Sequence, residues 1–405
     1  MKKRGLVLFI SIGVLSLFVS CTSGRKGTPV SSDISIDSLK AAEATIQSWV
    51  DEGKIAGFST LVIKNGQEVQ RANIGYANIE NQKPLESDAI FRIFSMTKPV
   101  TAVALMTLFD EGKFQLDDKV SKYIPEFEGI KVYTPTEDGF TLEPQQNEMT
   151  IRNLLTHTSG ISYGWDYDSY VDSVYRARNV GGWDGTIGEK MKLLGDIPLN
   201  FQPGTEWKYG LSIDVAGYLV EVFSGEPMDE YFRKTIFEPL KMKDAGFYVP
   251  ENKHDRLCDV YNVDENGVLK LETGGLAEGF KHPVTLFSGG GGMVASIDDY
   301  ARFCQMLLNG GELDDVRILS EDAVNLIMTN QLPETATYDE GKTGFGLSGT
   351  VDPESGEYSW AGMASTNFWI NPETDLIIIS CTQLLPSNFT YGNEFKKMVE
   401  NALIQ

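Results

Sequence analysis

The sequence predicts an α+β fold, with one antiparallel sheet built from both ends of the chain, flanking helices, and an inserted all-helical lobe. A β-rich segment at 58–63 is followed by Asn65-Gly66, the strongest short hairpin signal, and by a second β-rich segment at 69–76. Helical spacing dominates the middle of the chain, and β patterning returns from Phe345 onward. Strands at both ends with helices between them are typical of α+β proteins.

Apolar spacing and stop residues place the individual elements. An amphipathic helix is predicted over 37–50 and ends at Gly53. Residues 99–109 are apolar apart from threonine, which predicts a helix buried on nearly every face and ending near Gly112. The remaining predictions are helices at 150–156, 214–224, 228–237, 297–308 and 393–404, strands at 365–370 and 376–381, and irregular structure at 128–149.

The composition is that of an acidic globular protein. The 405 residues are 41% hydrophobic and 23% charged, with a formal net charge of -22. Because such a surface repels nucleic acid and anionic lipid, we expect no nucleic-acid partner. The cysteines show no Cys-x-x-Cys spacing and the three histidines no His-x-x-x-His pair, so neither a metal site nor a cofactor is expected.

Residues 1–20 have the organisation of an export signal. A basic start is followed by an apolar run over 6–19, which is too short for a typical membrane span. The run ends in Leu17-Phe18-Val19-Ser20-Cys21, which resembles a bacterial lipoprotein cleavage site. We therefore expect an exported protein, held at the periplasmic or cell-surface face of the envelope only by a lipid on Cys21 and a flexible tether over 21–36. The alternative is an ordinary secretory signal with an incidental cysteine.

Ser95-Met96-Thr97-Lys98 stands at the start of the buried helix and predicts a nucleophile beside its base. Two side chains three residues apart lie on one face of a helix and can meet. A serine hydroxyl needs an adjacent base, and lysine can serve if its pKa is lowered. The helix N-terminus adds N–H groups suited to a developing oxyanion. On its own the motif is short, and an N-cap serine followed by a surface lysine is the common alternative.

Several further motifs occur in the order found in a known family. They are Phe91 to Lys98, Leu116-Asp117-Asp118, Leu154 to Gly160, Pro203-Gly204 with Trp207 and Tyr209, and the glycine run before Met293. With them, the chain resembles the serine β-lactamases and penicillin-binding-protein-like hydrolases, nearest the class C β-lactamases and the family VIII esterases. The resemblance implies a β-lactamase/transpeptidase-like domain over 37–405. Its α/β lobe would span about 37–95 and 285–405, and its helical lobe about 96–284.

The resemblance also implies roles for individual residues. Ser95 is expected to be the acylated nucleophile and Lys98 its base. The family's Tyr-x-Asn motif falls on Tyr209-Gly210-Leu211, so Tyr209 is expected to relay protons between the nucleophile, Lys98 and the leaving group. The alternative for Tyr209 is an aromatic residue at a loop–helix junction.

Two segments compete for the family's third motif, which is Lys-Thr-Gly or His-x-Gly on the strand beside the site. Lys342-Thr343-Gly344 matches the motif residue for residue, but it is followed by one predicted strand more than the family fold has after this motif. Two strands and a helix follow Trp360-Ala361-Gly362, as the family fold requires, and this tripeptide is similar to the Trp-Gly-Gly of the esterases. We therefore expect Trp360, Ala361 and Gly362 beside the nucleophile, with the backbone N–H groups of Met363 and Ser95 as the oxyanion hole.

Departures from the family pattern indicate the substrate. Trp360 has no charge for a substrate carboxylate, and Leu211 cannot bond a substrate amide. The first prediction is therefore an exported esterase that acts on neutral acyl esters through an acyl-enzyme at Ser95. The alternatives are a β-lactamase, D-Ala-D-Ala carboxypeptidase or D-aminopeptidase with the same residues, and a catalytically silent protein that binds cell-wall peptide or a protein partner. The oligomeric state stays open.

Three neighbouring features have competing interpretations. The aromatic stretch from Tyr163 to Trp183 either roofs the pocket or forms an aromatic surface loop. A Gly-x-Ser-x-Gly match around Ser162 has no clear strand before it, so Ser162 is not expected to be the nucleophile. His157 is expected to be structural, with its imidazole buried near the site and bonded to the backbone, and the alternative is a direct catalytic role.

Overall fold

The centre of the protein is an eight-stranded antiparallel sheet made from both ends of the chain, seen in a computed structural model that describes residues 33–404. From edge to edge its strands are Gly344–Phe345 (β12), Thr350–Val351 (β13), Tyr358–Gly362 (β14), Thr366–Asn371 (β15), Leu376–Cys381 (β16), Gly57–Lys64 (β1), Gln67–Asn78 (β2) and Lys83–Pro84 (β3). The predicted α+β class is confirmed.

Smaller strand groups surround this sheet. They are Ile90–Arg92 (β4) with Val294–Ser296 (β9), Val132–Thr136 (β5) with Gly139–Glu143 (β6), Glu312–Leu313 (β10) with Val316–Arg317 (β11), and Tyr261–Val263 (β7) with Leu269–Leu271 (β8) and Leu384–Leu385 (β17).

The helices fill the middle of the chain and close both ends. They are Ile36–Asp51 (α1), Thr97–Asp110 (α2), Ile151–Leu155 (α3), Tyr170–Ala177 (α4), Ile187–Gly195 (α5), Ser212–Ser224 (α6), Met228–Phe232 (α7), Gly275–Glu278 (α8), Ile297–Leu308 (α9), Glu321–Met328 (α10) and Thr390–Asn401 (α11). A π-helical turn, Arg233–Phe237, continues α7. Within residues 33–404, no helix combines the length and the apolar character needed to cross a bilayer.

The central strands are buried on both faces. In β1, Val62 belongs to the apolar cluster formed with α1 and α11, and its neighbour Leu61 belongs to the main core on the opposite side. Ile378 and Ile379 of β16 divide in the same way, as the two-residue period of a strand requires. The sheet is therefore a layer between the paired terminal helices and the rest of the protein.

Helix α2 is the buried helix that the sequence predicts over 99–109. Every residue of it is buried except Thr107, Phe109 and Asp110. It packs against α6 and ends before Gly112, whose φ of +73° suits glycine. Since Ser95 lies in the turn just before α2, the backbone of the nucleophile candidate is attached directly to this buried helix.

The inserted region is mostly helical rather than all-helical. Strands β5 and β6 form a hairpin inside 128–149, where irregular structure was expected, and β7 pairs with β8 further on. Asp138-Gly139 is a hairpin dipeptide, so the sequence does contain a local signal for this turn.

The folded domain also begins slightly before the predicted end of the tether. Ile34 is buried and forms a β-bridge with Leu403, and Ser35 caps α1 through its side chain. The predicted signal over 1–20, the lipidation residue Cys21 and the tether up to residue 32 lie outside the described residues.

Candidate active site

Ser95 lies on a sharp turn between a strand and the central helix. Strand β4 leads through Ile93 into a 3₁₀ turn, Phe94–Met96, that runs directly into α2. Phe94 has a φ of +41°, a left-handed conformation that is uncommon for a bulky residue. The turn is tied to the segment after the glycine run, since Ile93 N–H donates to Met293 O at 3.1 Å. This arrangement presents the Ser95 side chain at the surface of a cavity.

Two polar side chains converge at Ser95 Oγ. Lys98 Nζ donates to Ser95 Oγ at 3.0 Å, and Tyr209 OH donates to the same oxygen at 2.6 Å. Lys98 Nζ also donates to Gly290 O at 2.5 Å and lies 4.6 Å from the centre of the Tyr209 ring. Lys98 is fully buried. An amine and a phenol on one hydroxyl can remove its proton and deliver a proton to a departing group.

Tyr209 is held by the segment that precedes α6. Gly210 has no room for a side chain, because a Cβ there would lie 2.3 Å from Ile161 O. Lys208 N–H donates to His157 O at 2.9 Å, and the Trp207 and Tyr209 rings stack 6.1 Å apart. These contacts fix the phenol over Ser95.

His157 supports Tyr209 by packing rather than by the expected hydrogen bond. Its ring centre lies 4.9 Å from that of Tyr209, and among residues 33–404 neither ring nitrogen has a hydrogen-bond partner. Burial, with a smaller contribution from the positive charge of Lys98, holds the pKa of His157 well below its usual value. A neutral imidazole therefore fills the space behind the phenol.

Strand β14 brings the second candidate tripeptide to the site. Trp360, Ala361 and Met363 line a cavity of about 550 Å³ together with Ser95 and Tyr209. Gly362 packs so closely that a Cβ would lie 2.3 Å from Ile93 O. Strands β15 and β16 follow in the same sheet, which is the order expected from the sequence, and the two-residue β17 of a separate sheet comes before helix α11.

The competing tripeptide lies away from this cavity. Lys342 precedes the edge strand β12, its side chain is 67% exposed, and its ammonium pairs with Glu340. The rival Ser162 is buried, and its hydroxyl donates to Asp172 Oδ1 at 2.5 Å. Both segments therefore match catalytic motifs in sequence, but neither occupies the corresponding place at the site.

Leu211 lies in a second, smaller space beside Ser95. This crevice of about 90 Å³ also borders Tyr163, Gly290 and Met363. Both interpretations of the aromatic stretch hold for part of it. Tyr163, Trp165 and Trp183 line the cavities, whereas the other aromatic residues of the stretch do not. Tyr167 is 83% exposed, Tyr170 packs on the β5–β6 hairpin, and Tyr175 is buried in the core.

Other residues at the site were missed from the sequence. Tyr338, Phe389 and Asn393 line the main cavity from distant segments that carry no recognisable signal. Asp214 is buried under Gly290, where Oδ1 accepts a hydrogen bond from Ser288 at 2.6 Å and Oδ2 has no partner among residues 33–404. Burial, together with Tyr209 and Asp214, raises the pKa of Tyr163 well above its usual value. Tyr163 therefore stays a neutral phenol beside the site.

Comparison with known proteins identifies the family. The family model described as Beta-lactamase matches residues 42–400. The chain belongs to this beta-lactamase family. The resemblance seen in the sequence is confirmed, and with it the assignment to the serine hydrolases of this fold.

Relatives of this beta-lactamase family member include enzymes named as esterases. Protein Rv1367c of Mycobacterium tuberculosis is 32% identical over 86% of this chain and 90% of its own length. Esterase EstB of Burkholderia gladioli is 29% identical over 88% of this chain and 94% of its own. The structure titled EstCE1, a hydrolase with promiscuous acyltransferase activity, is 26% identical, covers 90% of this chain and 99% of its own, and superposes with a TM-score of 0.74.

Proposed function

We propose that the protein is an esterase that transfers the acyl group of a neutral, apolar ester to Ser95 and then to water. The observation that carries this proposal is the wall of the Ser95 cavity. Strand β14 presents Trp360 there, so the strand offers no cation to a substrate carboxylate. The named functions of EstB and EstCE1 support the same class of chemistry.

The reaction follows from Ser95 and the two groups that contact its Oγ. Lys98 Nζ is the base that accepts the Ser95 proton as Oγ attacks the ester carbonyl. The carbonyl oxygen becomes an oxyanion, for which we assign the N–H groups of Ser95 and Met363. Tyr209 protonates the leaving alcohol and takes back a proton from Lys98 Nζ, so both groups return to their starting states. In the second half of the reaction water attacks the acyl carbonyl and gives its proton to the same pair, which delivers a proton to Ser95 Oγ as the bond between Oγ and the acyl carbon breaks and the acid leaves.

The shape of the main cavity favours an apolar alcohol group. Its lining is rich in aromatic rings, namely Trp165, Trp207, Tyr338, Trp360, Trp369 and Phe389. Flat apolar walls stabilise an uncharged ligand by taking its surface out of water, at about 25 cal/mol per Å². An anionic peptide or a β-lactam carboxylate would lose its hydration there with no cation from β14 in return.

The substrate class can be tested by changing Trp360. Hydrolysis of p-nitrophenyl butyrate and of a chromogenic cephalosporin is measured for wild type, Trp360→Lys and Trp360→Phe. We expect wild type to prefer the ester. Trp360→Lys should raise the cephalosporin-to-ester ratio of kcat/KM by about 10- to 100-fold, because a charge-assisted hydrogen bond contributes roughly 1.5–3 kcal/mol.

Trp360→Phe is the control, because it keeps the apolar wall and should leave that ratio nearly unchanged. Dominant cephalosporin turnover by wild type would contradict the esterase proposal and favour the β-lactamase alternative. Absence of turnover of both substrates would favour a peptidase or a silent binding protein.

We also propose that the protein is exported and attached to the cell envelope by a lipid on Cys21. The support is the signal-like segment before Cys21, and the spacer of about a dozen residues that precedes the folded domain at Ile34. In a bacterial host given radiolabelled palmitate, the wild-type chain should carry label and pellet with membranes. Cys21→Ser should lose both properties, and export of an unlabelled wild-type chain would instead indicate an ordinary secretory signal.

A further inference from the structure

A second cavity lies behind Trp183, beyond the site described above. It has a volume of about 640 Å³, within the range of roughly 300–1,000 Å³ typical of small-molecule pockets. Its apolar lining comprises Trp183, Phe247, Leu276, Phe280, Val284 and Leu286. We propose that this cavity is the subsite for the far end of the substrate's acyl chain, an inference that rests on the proposed esterase chemistry at Ser95.

Trp183 connects this cavity with the nucleophile. The indole lines the cavity and also the crevice that contains Ser95 and Leu211. The crevice is also lined by Gly290 and Gly291, which have no side chains, and by Lys190, whose Nζ donates to Gly182 O at 3.0 Å. At Gly290 a Cβ would meet Asp214 Oδ2 at 2.5 Å, so the packing beneath also requires glycine there. This narrow path suits an unbranched chain.

The position of Tyr209 decides which half of the ester enters the crevice. Tyr209 lines the main cavity, on the side of Trp207 and Tyr338. Since the leaving oxygen must receive its proton from Tyr209, the alcohol group lies in the main cavity. The acyl group, attached to the other side of the same carbonyl carbon, then points into the crevice towards Trp183.

The walls of the cavity are fixed to the strand that carries the nucleophile. Arg92 of β4 is fully buried and donates to Ala277 O in α8 and to Cys258 O, the latter at 2.6 Å. Phe280 packs edge-on against Phe94 with ring centres 5.4 Å apart. On the other rim, Thr285 Oγ1 donates to Gly185 O at 2.8 Å. The cavity is thus built into the fold next to Ser95.

The charge of the lining selects the occupant. Among the described residues that line the cavity, Asp184 is the only one with a formal charge. A free carboxylate would find no cation there, whereas a hydrocarbon tail needs none. Each methylene that leaves water adds up to about fourfold to kcat/KM, so chain length is the readout that this subsite should control.

The test measures kcat/KM for p-nitrophenyl acetate, butyrate, hexanoate, octanoate and decanoate. We expect wild type to favour the longer chains. Val284→Trp, which fills the cavity, should lower the decanoate-to-acetate ratio at least about tenfold. Leu276→Ala removes an apolar side chain from the lining instead of adding bulk, and it should lower the decanoate-to-acetate ratio about three- to tenfold. Val222→Trp adds the same bulk at an exposed position on α6 outside the lining, and this control should leave the ratio unchanged.

A binding measurement separates this inference from the esterase proposal. In the Ser95→Ala background, calorimetric affinity for 2-undecanone, but not for 2-pentanone, should fall about tenfold when Val284→Trp is added. Ser95-dependent ester turnover with the same chain-length ratio in all variants would overturn the subsite and leave the esterase intact. Undecanone binding that is lost in Val284→Trp, without any ester turnover, would keep the cavity as an apolar binding site and overturn the esterase.

Discussion

Ser95→Ala is expected to lower kcat for ester hydrolysis by about 10⁴- to 10⁶-fold, and Lys98→Met to cost nearly as much. The two side chains share one hydrogen bond, and Tyr209 meets the same oxygen from the other side. Because they act as one unit, the double variant should be hardly slower than either single variant. Steady-state turnover of p-nitrophenyl butyrate measures the loss, and the burst of p-nitrophenol measures acylation of Ser95.

Lys342→Met is the matched control for Lys98→Met. It also removes a lysine that belongs to a family-like motif, but from an exposed position beside Glu340. Its kcat should stay within about twofold of wild type, since an exposed ion pair contributes little. Loss of activity in Lys342→Met, with Lys98→Met active, would show that the base and the third motif are both misassigned.

Gly362→Ala is expected to lower activity at least about 100-fold and to destabilise the protein by about 1–3 kcal/mol. The added methyl would lie 2.3 Å from both Ile93 O and Thr366 Oγ1, so β14 must move away from the turn that holds Ser95. Met363 follows directly, so the proposed oxyanion donors would separate. Chemical denaturation and ester turnover measure the two effects.

Gly188→Ala provides the comparison for Gly362→Ala. Gly188 lies within α5, where a Cβ would make an ordinary contact of 3.6 Å with Tyr218. Alanine favours a helix over glycine by up to about 1 kcal/mol, so this variant should be at least as stable as wild type and fully active. If Gly362→Ala behaved in the same way, the tight contact between β14 and the Ser95 turn would have no functional meaning.

The elements predicted well from sequence are those with strong periodicity. The run of α2, which is apolar apart from threonine, is typical of a buried helix, and the alternating faces of β1 and β16 follow from their β-rich segments. Counting strands back from the C-terminus also placed Trp360 near Ser95, because the order of elements constrains which strand can adjoin the site.

The parts that escaped prediction depend on contacts between distant segments. Phe389 and Asn393 reach the cavity only because α11 folds back over the sheet, and nothing in their local sequence shows it. Asp214 resembles any residue in the first turn of a helix until its burial beside Ser288 is seen. The hairpin of β5 and β6 is different, since Asp138-Gly139 is a hairpin signal present in the local sequence.

The pairing of β1 with β16 determines the order in which parts of the fold can form. Ile63 and Ile377 are partners in the middle of the sheet, so β1 cannot pair with β16 until residue 377 has been synthesised. Contacts so distant in sequence also make folding slow. Ser95 and Lys98 are synthesised early, but β14 and its neighbours are synthesised last. The proposed site around Ser95 can therefore be complete only once β14 has been synthesised and has joined the sheet.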